Sequence, residues 1–140
     1  MAHDHDRGDD GREDERSEAR ERALSLLYEA DAKQLSVAEV LDALVLPPDP
    51  LAELLVRGVA EHQPRIDGLI SSHARNWTLE RMPVIDRTVL RIGVFELLER
   101  PDVPVAVVLN EAVELAKRFS TDDSGRFVNG VLAAVAREVR

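Results

Sequence analysis

The segment from Val84 to Leu98 constrains the fold more than any other part of the chain. Its apolar residues surround the axis of a predicted helix rather than forming one stripe along it. They are Val84, Ile85, Val89, Leu90, Ile92, Val94, Phe95, Leu97 and Leu98. A helix that is apolar on every side is stable only when other elements cover it. The segment therefore predicts a central helix inside a bundle.

The segments on either side carry apolar residues on one helical face, which is typical of helices packed around a core. Ser36 and Glu39 have the spacing of a capping box. Asp49 followed by Pro50 is typical of another helix start. Each of these signals places the first turn of a helix.

Pro64 interrupts the next helical pattern, and a proline inside a helix removes one backbone hydrogen bond. We therefore expect a new helix to begin there, with Trp77 on its buried face, and we expect Phe119 on the buried face of a later helix. No segment alternates apolar and polar residues as a half-buried strand does. The sequence predicts an all-α fold of about seven helices joined by short connections.

Charged residues dominate the first part of the chain. Residues 1–22 include five arginines and nine aspartates and glutamates, a net charge of −4, within a chain of net charge −9. Residues 1–15 lack apolar periodicity, so we expect a disordered acidic tail there and a single helical domain over residues 16–140. The negative charge argues against indiscriminate binding of polyanions, but it is compatible with a local basic patch.

Arg12, Arg16 and Arg20 follow one another at a spacing of four, and Arg22 lies about half a turn further on. If the first helix extends this far, the first three share one face. Such a row of guanidinium groups can bind phosphates and stack on bases. Arginines that alternate with acids are also typical of a solvated helix end, and composition alone favours that interpretation.

The segment TDDSGR, Thr121 to Arg126, lies between two predicted helices. Its side-chain oxygens are suited to cap the helix that follows, and it lacks the alternating acidic ligands of a calcium loop. Phe127 comes next. An aromatic ring at this position can belong to the core or can be a platform for an unpaired base, and the residues alone leave both open.

Two charged residues, Asp86 and Arg91, lie on the otherwise apolar central helix. A buried charge without a partner is strongly destabilising, so each must pair inside the protein or reach the surface. An internal ion pair and a docking face for a partner protein are both compatible with the sequence.

Signals for catalysis, metal binding and membrane insertion are missing from the sequence. The chain has no cysteine, and it has neither a glycine-rich phosphate loop nor a nucleophile–base pair at a recognisable spacing. His3 and His5 lie in the predicted tail, where nothing fixes a ligand geometry. No apolar run is long enough for a membrane span, and no secretory signal is present. We therefore expect a cytoplasmic protein that is not an enzyme and has no metal or cofactor.

Three segments of the chain are distinctive: ARERALSLLYE (Ala19 to Glu29), VIDRTVLRIGVFEL (Val84 to Leu97) and DVPVAVVLNEAVELAKRFSTDDSGRFVNGVL (Asp102 to Leu132). Together they resemble the NusB family of bacterial transcription antitermination factors. The last segment is highly specific. Because the chain stops at Arg140, it resembles the free-standing factor more than the related domains that are fused to ribosomal RNA methyltransferases.

The resemblance implies two packed helical subdomains and a function without catalysis. Family members bind the boxA element of nascent RNA together with NusE, a small-subunit ribosomal protein. This pair helps to load an antitermination complex onto RNA polymerase, chiefly on ribosomal RNA operons. Some family members form homodimers, so the resemblance also raises self-association as an expectation.

The family's arginine-rich arm lies on the first helix and matches Arg16, Ser17 and Glu18, followed by Arg20. Where relatives have consecutive arginines, this chain reads ERSEARER after an acidic tail. We expect Arg16, Arg20 and Arg22 to bind RNA phosphates. Fewer such contacts mean weaker affinity and a shallower dependence on salt, so NusE is expected to supply part of the RNA-binding surface.

Two further pairs of positions match contacts of the family. Its RNA face continues at Asp123 and Phe127, where Phe127 is expected to stack on an unpaired base or pack beside it. Its NusE face matches Glu80 and Asp86. Because the lead-in to the domain is acidic, the alternative is a protein-interaction adaptor or homodimer that retains NusE binding but has weak RNA affinity.

Overall fold

The computed structural model describes the backbone of residues 2–140 and the side chains of residues 14–140. Six α-helices follow one another along this part of the chain. They are α1 (Ala2–Lys33), α2 (Val37–Asp42), α3 (Pro50–His73), α4 (Val84–Glu99), α5 (Val105–Phe119) and α6 (Asp122–Val139). A single 3-10 turn, Leu79–Arg81, precedes α4, and residues 2–140 contain no strand. The predicted all-α fold is confirmed.

Helix α4 lies at the centre of the molecule, as predicted. It packs against α1, α3, α5 and α6, and its buried residues lie on all sides of the helix axis. They are Asp86, Thr88, Val89, Leu90, Ile92, Gly93, Val94, Phe95, Glu96 and Leu97. Because α4 contributes apolar side chains in every direction, the core is continuous across the helices that surround it.

The six helices form two groups of three. Helices α1, α2 and α3 pack against one another, as do α4, α5 and α6, and contacts of α4 with α1 and α3 join the groups. Arg91 of α4 and Asp67 of α3 form an ion pair across this junction, with Nε–Oδ1 and Nη2–Oδ2 distances of 2.8 and 3.0 Å. The internal ion pair is thus the alternative that holds for Arg91.

Two helix starts follow the predicted capping signals. The Glu39 amide donates to Ser36 Oγ and the Ser36 amide donates to Glu39 Oε1, each at 3.1 Å. Hydrogen bonds from the Ser36 amide and, with a smaller effect, from the Ser36 side chain lower the pKa of the Glu39 carboxyl. At α3 the Leu51 amide donates to Asp49 Oδ1 at 2.8 Å, with Pro50 in the first helical position.

Pro64 lies inside the single helix α3, so the prediction that it begins a new helix is wrong. A proline cannot donate to the carbonyl four residues earlier, here that of Ala60. Both residues are on the exposed side of α3, where water can reach this carbonyl. The opposite face buries Val59 and Ile66 on either side of the proline. Packing of this continuous face outweighs the missing hydrogen bond.

Helix α1 begins at Ala2, whereas the sequence predicts a helix from about Arg16. Along its later turns α1 buries one apolar stripe, which includes Ala19, Ala23 and Leu26. The side chains of residues 1–13, with those of His3 and His5 among them, lie outside the described residues. The backbone is helical from Ala2. The disordered acidic tail over residues 1–15 stays a prediction.

Candidate nucleic-acid interface

The start of α6 carries two of the predicted site residues. Thr121 caps this helix: the Ser124 amide donates to Thr121 Oγ1 at 3.1 Å, and the Thr121 amide donates to Ser124 Oγ at 3.4 Å. Asp123 is exposed in the first turn, and Phe127, one turn further on, is half-buried against the core. The capping box thus holds Asp123 and Phe127 at the surface end of α6.

Trp77 lies beside Phe127, a neighbour that the sequence does not predict. The ring centroids are 6.2 Å apart and the ring planes are inclined by 53°, a usual arrangement for an aromatic pair. Trp77 is 47% exposed, so the prediction that it lies on a buried helical face is wrong. Helix α3 ends at His73, and its helical periodicity therefore does not extend to Trp77. Phe119 is also exposed rather than buried.

Trp77 and Phe127 line a surface pocket of about 350 Å³. The other lining residues are Pro83, Asp86, Thr121, Asp123 and Ser124. The pocket therefore brings together Asp123 and Phe127, which are predicted to bind RNA, and Asp86, which is predicted to bind NusE. Residues from the starts of α4 and α6, far apart in sequence, form one concave site.

Asp86 is the buried acid of this pocket, with 4% of its surface exposed. It lies in the first turn of α4, where the helix dipole favours a negative charge. Its Oδ1 atom has no hydrogen-bond partner among the described residues, which is costly for a buried carboxylate. Asp86 is therefore suited to accept a hydrogen bond from a donor that enters the pocket. Glu80 is exposed on the preceding 3-10 turn.

Arg20 lies in the interior of the protein, with only 2% of its surface exposed. Its Nε donates to Glu96 Oε2 and its Nη2 donates to Glu96 Oε1, each at 2.9 Å. Arg20 adjoins the buried Ala19 and Ala23, so this face of α1 points towards α4. The placement corrects the prediction that Arg20 is a surface residue that binds RNA phosphates.

Arg16 and Arg22 are exposed, as expected, but lie on different sides of α1. Six residues along a helix correspond to about 120° of net rotation. Arg16 lines a concavity beside the start of α5, whereas Arg22 lines another beside Asp49 at the start of α3. Neither lines the pocket of Phe127. The structure therefore does not gather the predicted arginines and Phe127 into one concave site.

No group of three or more His, Asp or Glu side chains among residues 14–140 is placed to hold a metal ion. Within the described part of the chain, no helix is long and apolar enough to cross a bilayer. What the Phe127 pocket offers is aromatic surface with carboxylate oxygens beside it. Such groups suit stacking on a planar ligand and hydrogen bonds from its amino groups.

Comparison with known proteins identifies a family and several similar structures. The NusB family model matches residues 17–137. NusB from T. maritima has a TM-score of 0.80 and 34% sequence identity, over 88% of this chain and 91% of that one. A chain in the crystal structure of antitermination factors NusB and NusE with dsRNA has a TM-score of 0.74 and 28% identity, over 88% and 96%. NusB from Aquifex aeolicus, solved in solution, has a TM-score of 0.72 and 29% identity, with 87% of each chain covered.

Proposed function

The chain belongs to the NusB family of RNA-binding antitermination factors, which are not enzymes, and we propose that it binds boxA RNA together with NusE. In this proposal the pair helps to assemble an antitermination complex on RNA polymerase in the cytoplasm, mainly on ribosomal RNA operons. The observation that supports it most directly is the pocket in which Phe127 and Asp86 meet. An RNA face and a protein face that share one pocket can form a composite binding surface.

RNA binding at this pocket uses the rings of Phe127 and Trp77. An unpaired base stacks on an exposed aromatic ring with little dependence on its identity, and hydrogen bonds to the base edges add specificity. Asp123, which lines the same pocket, accepts such bonds from a base amino group. Arg16 and Arg22 contribute phosphate contacts from the exposed sides of α1, whereas Arg20 serves to hold α1 on α4.

NusE binding uses the acidic residues at the start of α4. A lysine or arginine of NusE enters the pocket and donates to the Oδ1 atom of Asp86 that lacks a partner. Pairing a buried carboxylate in this way gives a directional contact that is sensitive to truncation of either partner. Glu80, three residues before Pro83 of the pocket lining, supplies a second acceptor for the same partner.

Titration of labelled boxA RNA tests this function, with the protein alone, with NusE alone and with the mixture. We expect the mixture to bind most tightly and to prefer boxA over a shuffled RNA of equal length. Phe127→Ala should weaken binding by about 1–3 kcal/mol, the usual range for loss of one stacking platform. Leu46→Ala, a change of an exposed apolar residue between α2 and α3, is the control. Absence of RNA binding both by the protein alone and by its mixture with NusE would overturn the proposal.

A second candidate function is that of a protein-interaction adaptor, monomeric or homodimeric, that binds NusE but has weak affinity for RNA. Two observations favour it: Arg20 is occupied by Glu96, and residues 1–22 have a net charge of −4. Both functions predict that Asp86→Arg abolishes association with NusE. They differ in whether adding this protein to NusE increases affinity for boxA RNA, and sedimentation measures self-association independently.

A further inference from the structure

Arg118, near the end of α5, lies against the arm region of α1. Its Nη1 and Nη2 atoms donate to Glu21 Oε2 and Oε1 at 3.2 and 3.4 Å. The Arg118 side chain is nevertheless 56% exposed. Glu21 directly follows Arg20, the arm residue that the structure shows to be buried. Arg118 therefore places a guanidinium group at the surface of α1 where Arg20 does not.

Arg118 is also stacked on an aromatic ring. Its Cζ atom lies 4.9 Å from the centroid of the Phe119 ring, and Phe119 is itself exposed. A guanidinium group over an aromatic face is a cation–π contact, and it limits the orientations of a long, flexible side chain. The result is an exposed pair of planar groups, one of which is positively charged.

The Arg118–Phe119 pair lies between α1 and the Phe127 pocket, the two parts of the chain that are expected to bind RNA. On one side Arg118 contacts Glu21 of α1. On the other side the chain passes from Phe119 to Thr121, the cap of α6, whose first turns carry Asp123 and Phe127. The end of α5 therefore lies beside α1 at Glu21 and next in the chain to the cap of α6.

We propose that Arg118 and Phe119 form an RNA-binding element that joins α1 to the Phe127 pocket, an inference that rests on the proposed function. The Arg118 guanidinium exchanges the Glu21 carboxylate for an RNA phosphate, and an unpaired base stacks on the exposed side of the Arg118–Phe119 pair. Arginine donors match two phosphate oxygens as they match two carboxylate oxygens. The neighbouring ring favours RNA over an acidic peptide, because bases stack on aromatic and guanidinium planes.

Glu21 has a defined part in this exchange. An exposed ion pair is weak and is screened by salt, so Glu21 holds Arg118 in place without preventing its transfer to phosphate. While bound, the Glu21 carboxylate competes with the RNA for the same donors. Removing its charge should therefore strengthen RNA binding, whereas removing the Arg118 charge should weaken it.

Fluorescence anisotropy with labelled boxA RNA and NusE, at several salt concentrations, tests the element. Arg118→Ser should weaken binding roughly tenfold and reduce the slope of log affinity against log salt by about one. Phe119→Ala should weaken binding and leave that slope unchanged, because it removes stacking but no charge. Glu21→Gln should strengthen binding at low salt by roughly two- to fivefold. Arg118→Lys should retain the slope and lose part of the affinity.

Arg57→Ser is the matched control, since Arg57 also donates to a glutamate, Glu53, at 3.2 Å and has a side chain that is 49% exposed. Arg57→Ser should bind RNA with an affinity within about twofold of the unsubstituted protein.

The inference is overturned if the unsubstituted protein binds RNA but Arg118→Ser has the same slope of log affinity against log salt as Arg57→Ser. That outcome leaves the proposed function standing. No binding by the unsubstituted protein overturns both. Displacement of the RNA by polyglutamate of equal charge concentration would assign the element to acidic peptides. If Arg118→Ser does not fold, the other two variants test the inference. It is overturned if Glu21→Gln does not strengthen RNA binding and Arg118→Lys binds as tightly as the unsubstituted protein.

Discussion

Arg20 and Glu96 form a bidentate ion pair inside the protein, in which Nε donates to Oε2 and Nη2 donates to Oε1, each at 2.9 Å. The pair joins α1 to the central helix α4. Arg100, which directly follows the last residue of α4, donates to the same carboxylate at 2.6 Å. Two cations therefore share one buried acid, and the arm helix is tied to the core by charge as well as by apolar packing.

Arg20→Ala should destabilise the protein by about 3 kcal/mol, at the lower end of the range for breaking a buried pair. The value is at the lower end because Arg100 still compensates part of the Glu96 charge. Urea denaturation followed by circular dichroism measures the free energy of unfolding. Arg22→Ala, at an exposed position two residues away, should change it by less than about 0.5 kcal/mol. Equal effects at both positions would show that the buried pair does not form in solution.

Gly58 and Gly68 on α3 should respond oppositely to alanine. A Cβ at Gly58 would overlap Cε1 and Cζ of Phe95, so Gly58→Ala must displace the ring and should cost about 1–3 kcal/mol. A Cβ at Gly68 meets no heavy atom within 4 Å, so Gly68→Ala should stabilise the helix by about 0.5–1 kcal/mol. Thermal unfolding measures both. Changes of the same sign would contradict this account of Gly58.

Much of the fold could be predicted because it depends on patterns that are local in sequence. The apolar residues of Val84 to Leu98 identify the central helix without reference to the rest of the chain, and capping signals at Ser36 and Asp49 locate helix starts. Pro64 was misleading because local propensity is outweighed by tertiary packing. The buried face of α3 continues on both sides of this proline. The helices that pack against this face stabilise α3 as one continuous helix.

The site was less predictable because it depends on contacts between distant residues. A spacing of four places Arg16 and Arg20 on similar sides of α1, but Glu96, which lies 76 residues beyond Arg20, decides which of them is buried. Trp77 follows the end of α3, so no periodicity indicates where its ring lies. The positions of Asp123 and Phe127 at a helix start were predictable, since the capping residues before them are a local signal.

Arg140→Ala should loosen the end of α4. The Arg140 guanidinium donates to the backbone carbonyls of Glu96, Leu97, Arg100 and Val103, at the end of α4 and in the turn that follows it. The Glu96 and Arg100 carbonyls also accept from backbone amides, so Arg140 adds to the hydrogen bonds of this helix end. Loss of this cap should cost about 1–3 kcal/mol, measured by urea denaturation, and should increase hydrogen exchange around residues 97–103. Arg137→Ala, an exposed arginine one turn earlier, should leave both unchanged, and similar values for the two variants would rule out the capping role.

Asp86→Asn should stabilise the free protein while weakening its association with NusE. The Asp86 carboxylate is favoured by the α4 dipole by about 0.3–1 kcal/mol, but a buried charged group that lacks a hydrogen-bond partner costs more than this. We therefore expect a net gain of about 1 kcal/mol in urea denaturation and a lower affinity in calorimetric titration with NusE. Asp122→Asn is the control, because Asp122 also lies in the first turn of a helix, α6, but is exposed. This change removes only the interaction of the carboxylate with the helix dipole, so it should slightly destabilise the protein. If Asp86→Asn destabilises as much as Asp122→Asn does, the Asp86 carboxylate already has a donor in solution, and the pocket is not available for a cation of NusE.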